Sequence, residues 1–281
     1  MRRIFFLLVI CMGSLGVYAQ SGFFVKNNHI EKWYKEGENL EKEIKKVVIL
    51  PEFQAVVKEY EVKVETLTSC FHFVDINNNG ELDILFDGKI IDQHYVFIFL
   101  KKGNNYLVVL EQKGTIIQAN LPQEDNNLNI SIWNGVCCGD HVNVLSQWVC
   151  ISRNGSNYFE NAAKSLVFRS TFMPSVRLEK PVKCTVINVT NLRTEPNIDE
   201  HSRIAGMNAW VGNSVGVYSL NATGTIYAEM KQDGKFWYFV RMNNEAGLSV
   251  RNNRFTHAKE VDDAQNCFYY GWISSDDVSF E

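Results

Sequence analysis

The stretch Phe73-Val74-Asp75-Ile76-Asn77-Asn78-Asn79-Gly80-Glu81-Leu82-Asp83 decides how this chain folds. Oxygen-bearing side chains stand at positions 1, 3, 5 and 9 of a loop that begins at Asp75, and Gly80 permits the bend at position 6. A helix-flanked calcium loop would carry a bidentate Glu at position 12. Position 12 here is Phe86. The flanks alternate apolar and polar, as half-buried strands do. The loop therefore joins two strands, and the fold class that follows is mainly β.

Working outward, Val62, Val64, Phe71 and Phe73 continue the period of two. Further strands are expected at Tyr95–Leu100, Tyr106–Glu111, Leu128–Trp133, Val142–Ile151 and Leu166–Phe172. Turn signals at Asp87-Gly88, Gly103-Asn104-Asn105 and Asn154-Gly155 give the spacing of antiparallel hairpins. Residues 28–60 read instead as helical. Leu40, Ile44, Val47 and Val48 recur at helix spacing, and Pro51 suits the first turn of a second helix bearing Phe53, Val56, Val57 and Tyr60. Residues 27–178 thus form an α+β domain with N-terminal helices and an antiparallel sheet. Arg177–Val182, between Pro174 and Pro181, is the linker to a second β-rich domain at 183–281.

The 281 residues are 46% hydrophobic, 21% charged and 12% aromatic, enough for a sizeable core and too apolar for disorder. The start, MRRIFFLLVICMGSLGVYAQ, joins a basic pair to an apolar run and small residues at Val17 and Ala19. It reads as a secretory signal cleaved after Ala19, so a periplasmic or extracellular location is expected. The apolar run is too short to span a bilayer, and no later run is long enough. Loss of residues 1–19 leaves 262 residues and, because Arg2 and Arg3 go without any acid, takes the net charge from −4 to −6. Such a balance offers no footprint for nucleic acid. Six cysteines then remain: Cys70, Cys137, Cys138, Cys150, Cys184 and Cys267. An even set in an oxidising compartment favours disulfides. Cys184 and Cys267 are the pair left within the second domain, a bridge worth about 4 kcal/mol in the chain-entropy picture. For the other four, the preferred arrangement joins one of Cys137 and Cys138 to Cys70 and the other to Cys150.

The 75–83 loop resembles the calcium loops of FG-GAP repeats, D-x-[DN]-x-[DN]-G-x-x-D. The resemblance covers about a dozen residues and occurs once, so it implies no propeller. It implies a hard-cation cage of Asp75, Asn77, Asn79, Glu81 through its carbonyl, and Asp83. A metal-free Asx-rich turn is the alternative. With two certain carboxylates the calcium site should be weak, with a Kd of roughly 10⁻⁴ M, and should stabilise by about 1.4 kcal/mol at millimolar calcium. That is a structural role and not a switch.

The second domain resembles bacterial SH3 (SH3b) domains. Thr190-Asn191-Leu192-Arg193-Thr194-Glu195-Pro196 is similar to their opening L-N-V-R-S-G-P. Ser202-Arg203-Ile204-Ala205-Gly206, Gly224-Thr225-Ile226-Tyr227, Trp237-Tyr238-Phe239-Val240 and Tyr270-Gly271-Trp272-Ile273 follow in the family's order. Thr190 and Glu195 depart from the pattern, and 207–223 and 243–267 are insertions. The resemblance implies an SH3-like β-barrel that binds cell-wall peptide or glycan, or an exported protein, without catalysis. Trp210, Trp237, Tyr269, Tyr270 and Trp272 are the candidate contact residues, since aromatic surfaces suit peptides and sugar rings alike; for Trp237 and Trp272 the alternative is a place in the barrel core, which makes Trp210, Tyr269 and Tyr270 the better contact candidates. A periplasmic inhibitor or immunity-type protein with one protein partner is the second reading. The third is a cysteine hydrolase of the kind that often accompanies SH3b domains, for which Cys137-Cys138-Gly139-Asp140-His141 is the nearest approach to a nucleophile motif. The six histidines show no metalloprotease spacing.

Overall fold

The computed structural model describes residues 23–24, 40–120, 128–135, 142–153, 156–168, 170–202, 212–243 and 267–280. Expectations that fall on residues 1–19, Cys137, Cys138, His141, Asn154-Gly155, Trp210 and the side chain of Cys267 lie outside them. The described fold is mainly β, built from antiparallel sheets with a few helical segments. It divides into two compact units. One comprises residues 24–134 and 146–162, the other 1–23, 135–145 and 163–281.

In the first unit, α1 (Leu40–Val47) and α2 (Pro51–Glu59) form where the helical period placed them. Pro51 opens α2, where its missing N–H costs nothing, and Leu50 before it is extended, as a pre-proline residue prefers. Both helices lie on a four-stranded sheet in the order β1 (Phe71–Val74), β2 (Asp83–Ile90), β3 (Gln93–Lys102) and β4 (Asn105–Lys113). Phe53 of α2 sits among the rings of Phe71, Phe86, Phe97 and Phe99, with centroids 5.2–6.1 Å away. Alternation along β2 and β3 sends Ile84, Phe86, Phe97 and Phe99 to this core and Leu85, Val96 and Ile98 to a second one. The second core is closed by β5 (Thr115–Asn120), β6 (Asn129–Asn134) and residues Cys150 and Phe159. A strand covered on both faces loses its polar alternation, which is why β3 reads Tyr-Val-Phe-Ile-Phe-Leu.

Three local expectations are corrected. Residues Val64–Cys70 form a 3₁₀ turn and not a strand. Asp87-Gly88 does not turn but lies inside β2. Gly88 is there for space, because a Cβ would meet the Phe86 ring at 2.6 Å and Cys70 Sγ at 2.8 Å. The reversal comes instead at Ile91, in the left-handed region at φ 55°. Of the expected Leu166–Phe172 strand, Leu166–Phe168 end a longer strand, β8 (Ser156–Phe168), which follows β7 (Val142–Arg153), and Ser170–Phe172 lie beyond it. Both long strands contribute residues to each unit.

The second unit holds β9 (Val182–Val186), β10 (Thr190–Arg193), β11 (Ser214–Tyr218), β12 (Thr223–Gln232), β13 (Lys235–Asn243), β14 (Cys267–Ser274) and β15 (Val278–Phe280). Antiparallel pairing runs β15-β9-β12-β13-β14. β10 pairs with β11 and touches β14 at Arg193 opposite Trp272. All seven strands turn side chains into one core, so the sheet wraps around it. Part of the expected 207–223 insertion is therefore strand, its Ser-Val-Gly-Val-Tyr alternating against β10. One pairing departs from the hairpin plan: residues 164–167 of β8 run parallel to residues 267–270 of β14. It joins residues 163–178, expected to close the first domain, to the second unit.

Candidate functional site

The 75–83 loop organises itself through its own oxygens. Asp75 accepts from the backbone N–H groups of Asn79 (3.0 Å) and Gly80 (2.7 Å), and Asn79 Oδ1 accepts from Glu81 N (2.8 Å). Asp83 is fully buried and acts as a latch, its two oxygens accepting from Ile76 N at 2.9 Å and Lys101 N at 2.8 Å. Burial pushes its carboxyl up to about 6 against these hydrogen bonds, and the charges of Asp75 and Glu81 add to the rise. Asn77 Oδ1 is the exception in the loop, a buried acceptor with no donor. Each carboxylate oxygen keeps a lone pair beyond the hydrogen bond it accepts. An all-oxygen donor set with one orphaned amide oxygen fits a hard cation. The described residues contain no cluster of three or more His, Cys, Asp or Glu side chains, so the loop depends on amides to complete any cage.

The aromatic residues expected to contact ligand are placed differently. Trp237, Tyr269, Tyr270 and Trp272 are all buried, Trp272 completely. Tyr269, Tyr270 and Trp272 lie on β14, paired with β13 on one side and β8 on the other, while Trp237 lies on β13. Tyr269 faces the core within the sheet. Trp237, Phe239, Tyr270 and Trp272 point the other way, and part of that outer face is covered by the segment after β8. The Trp272 indole N–H donates to the Phe172 carbonyl at 2.7 Å.

Among the described residues the exposed phenylalanines are Phe172, Phe236 and Phe280, none of them a contact candidate from the sequence. Phe236 is 48% exposed and Phe280 57% exposed. Tyr238, half-buried, meets Phe280 edge to face at 5.8 Å. Alternation puts Phe236 and Tyr238 on one face of β13, where the core opens. Lys231 Nζ lies 5.5 Å from the Phe236 ring, and Lys235 pairs with Asp276 at 3.6 Å. The signal was present in Lys-Phe-Trp-Tyr-Phe, but it does not say which aromatic alternate faces water. A neighbouring loop is braced by Arg193, buried, which donates to Asn213 Oδ1 and to Glu200 Oε1 at 2.8 Å each.

Cys70, Cys150 and Cys184 are free thiols. Cys184 stands opposite Gly224 of β12, and β13 separates β12 from β14, which carries Cys267. Adjacent strands are about 4.8 Å apart, whereas a disulfide needs Cα atoms within about 7 Å. Cys184 has no disulfide partner among the described residues, and the Cys267 side chain of the expected bridge lies outside them. Burial pushes the thiols of Cys150 and Cys184 up to about 11 and raises that of Cys70, the reverse of what a nucleophile needs. A separate cavity of about 750 Å³ in the first unit is lined by Leu40, Glu41, Ile44, Thr68, Ser69, Phe71 and His72. No helix among the described residues is long and apolar enough to cross a membrane.

No protein family, characterised protein or solved structure matches this chain.

Proposed function

We propose that this is an exported, non-enzymatic binding protein whose second unit, an SH3b-like barrel, recognises cell-envelope peptide or glycan, or an exported protein. The observation that carries this reading is the Phe236–Tyr238–Phe280 strip. Two of its rings are about half exposed and offer apolar faces without an internal partner large enough to hide them. The rings suit sugar faces and extended peptide, and Lys231 and Lys235 beside them suit a carboxylate. The described SH3b-type motifs each fall on a strand, Thr190–Arg193 on β10, Gly224–Tyr227 on β12, Trp237–Val240 on β13 and Tyr270–Ile273 on β14. That distribution supports the resemblance.

The first unit would hold calcium at Asp75, Asn77, Asn79, the Glu81 carbonyl and Asp83, and the ion would supply charge to a loop rich in acceptors. Asn77 Oδ1 is the atom that supports this assignment.

The test is sedimentation of the purified chain with isolated peptidoglycan at physiological salt. Wild type should co-sediment, and Phe236→Ser with Phe280→Ser should lose at least ten-fold in affinity while keeping its near-ultraviolet circular dichroism. Failure of the wild type to sediment would overturn the envelope reading.

A further inference from the structure

The outer face of β13 and β14 holds an occupant from the same chain. Phe23 is 8% exposed, and its ring meets Phe239 edge to face at 5.2 Å. The Arg177 guanidinium lies 4.6 Å from the Phe23 centroid and 5.5 Å from that of Tyr227. Arg177 therefore sits over two rings, and Phe23 sits between a cation and an aromatic floor. That floor continues beneath it. Phe239 stacks on Tyr270 at 5.7 Å and 19°, meets Trp272 at 5.3 Å, and Tyr270 meets Tyr227 at 5.7 Å.

An SH3-like sheet that wraps one core has no internal need for a second layer of four large aromatics on its outer face. Exposed, such a layer would be a large apolar patch of the kind that marks an interaction site. Here part of the patch is covered by Phe23, more than 115 positions in sequence from the nearest strand of the unit.

We propose that this face is a groove for an aromatic side chain of a peptide and that Phe23 is its ligand in cis. The groove takes one ring, with Arg177 closing over it as a cation–π lid and Phe239 supporting it from below. Cleavage after Ala19, as expected from the sequence, makes Phe23 the fourth residue of the exported chain, so the ligand sits close to the new terminus. A tethered ligand of this kind competes at millimolar effective concentration and keeps other peptides out. The inference does not rest on the envelope reading, which concerns the separate Phe236–Tyr238–Phe280 strip.

The test uses the full chain and a synthetic peptide with the sequence of Gln20–Lys26, titrated by calorimetry. Phe23→Ala should bind the peptide at least ten-fold more tightly than wild type does. A peptide carrying alanine at the Phe23 position should not bind. Phe23→Leu, which keeps apolar bulk but loses the ring, should bind the peptide with intermediate affinity. Equal binding by wild type and Phe23→Ala, binding that survives loss of the peptide's Phe23, or no binding to either variant would overturn the proposal. Loss of folding in both variants would also overturn it, because Phe23 would then be a core residue and not a removable ligand. Unchanged peptidoglycan sedimentation in Phe23→Ala would separate this groove from the exposed strip.

Discussion

The Trp272 indole N–H donates to the Phe172 backbone carbonyl at 2.7 Å, across 100 positions of sequence. The bond fastens the segment after β8 over the outer face of the second unit, and the rings of Phe172 and Trp272 lie 6.3 Å apart above it. Of the two places the sequence allowed Trp272, a contact for outside ligands or a barrel filler, it takes an internal one.

Trp272→Phe should cost about 2–3 kcal/mol. The change removes a buried donor, leaves the Phe172 carbonyl without its partner and opens a small cavity. Urea unfolding followed by tryptophan fluorescence checks this, and a loss under 0.5 kcal/mol would show that the segment does not depend on the bond.

Gly271→Ala should cost about 2–3 kcal/mol for a different reason. A Cβ there would meet the Arg193 carbonyl oxygen at 2.7 Å and Leu192 Cγ at 2.8 Å, where β14 crosses β10. The backbone carbonyl cannot move without breaking the strand. The thermal midpoint of the second unit should fall by several degrees, and a neutral result would place β10 farther from β14 than the structure does.

Asp87 gives the first unit a pH dependence. Burial pushes its carboxyl up to about 6, opposed by hydrogen bonds from Ile116 N at 3.3 Å and Thr115 Oγ1 at 3.2 Å. Its ordinary value when unfolded is about 4. The folded state holds the proton more tightly, so the stabilising contribution is complete below pH 4 and is lost as pH rises through 6. The difference in stability between wild type and Asp87→Asn should therefore shift by about 2 kcal/mol between pH 4 and pH 7. A difference that stays flat over this range contradicts the burial argument.

Calcium at 1 mM should raise the melting temperature of the first unit by about 3–6 °C relative to chelator. Asn77→Ala should abolish that response while leaving the chelated protein unchanged, because Asn77 Oδ1 bonds nothing within the loop. A response that survives in Asn77→Ala would move the ion elsewhere, and no response in wild type would leave the loop as an Asx turn closed by Asp75 and Asp83.

Local chemistry determined much of this protein in the sequence alone. The periods of 3.6 and 2 located α1, α2 and most strands, because each element buries one face and the spacing of that face is a local property. The Asp75–Asp83 loop was legible for the same reason, its hydrogen bonds spanning eight residues or fewer except for the bond from Lys101. The sequence also grouped Trp237, Tyr270 and Trp272 as a set. Only the tertiary structure decided which aromatics meet water. The parallel pairing of β8 with β14, the Phe172 carbonyl over Trp272 and the seat of Phe23 on Phe239 join residues about 100 or more positions apart. Such contacts leave no periodic trace, because alternation tells two faces of a strand apart but not which of them another segment will cover.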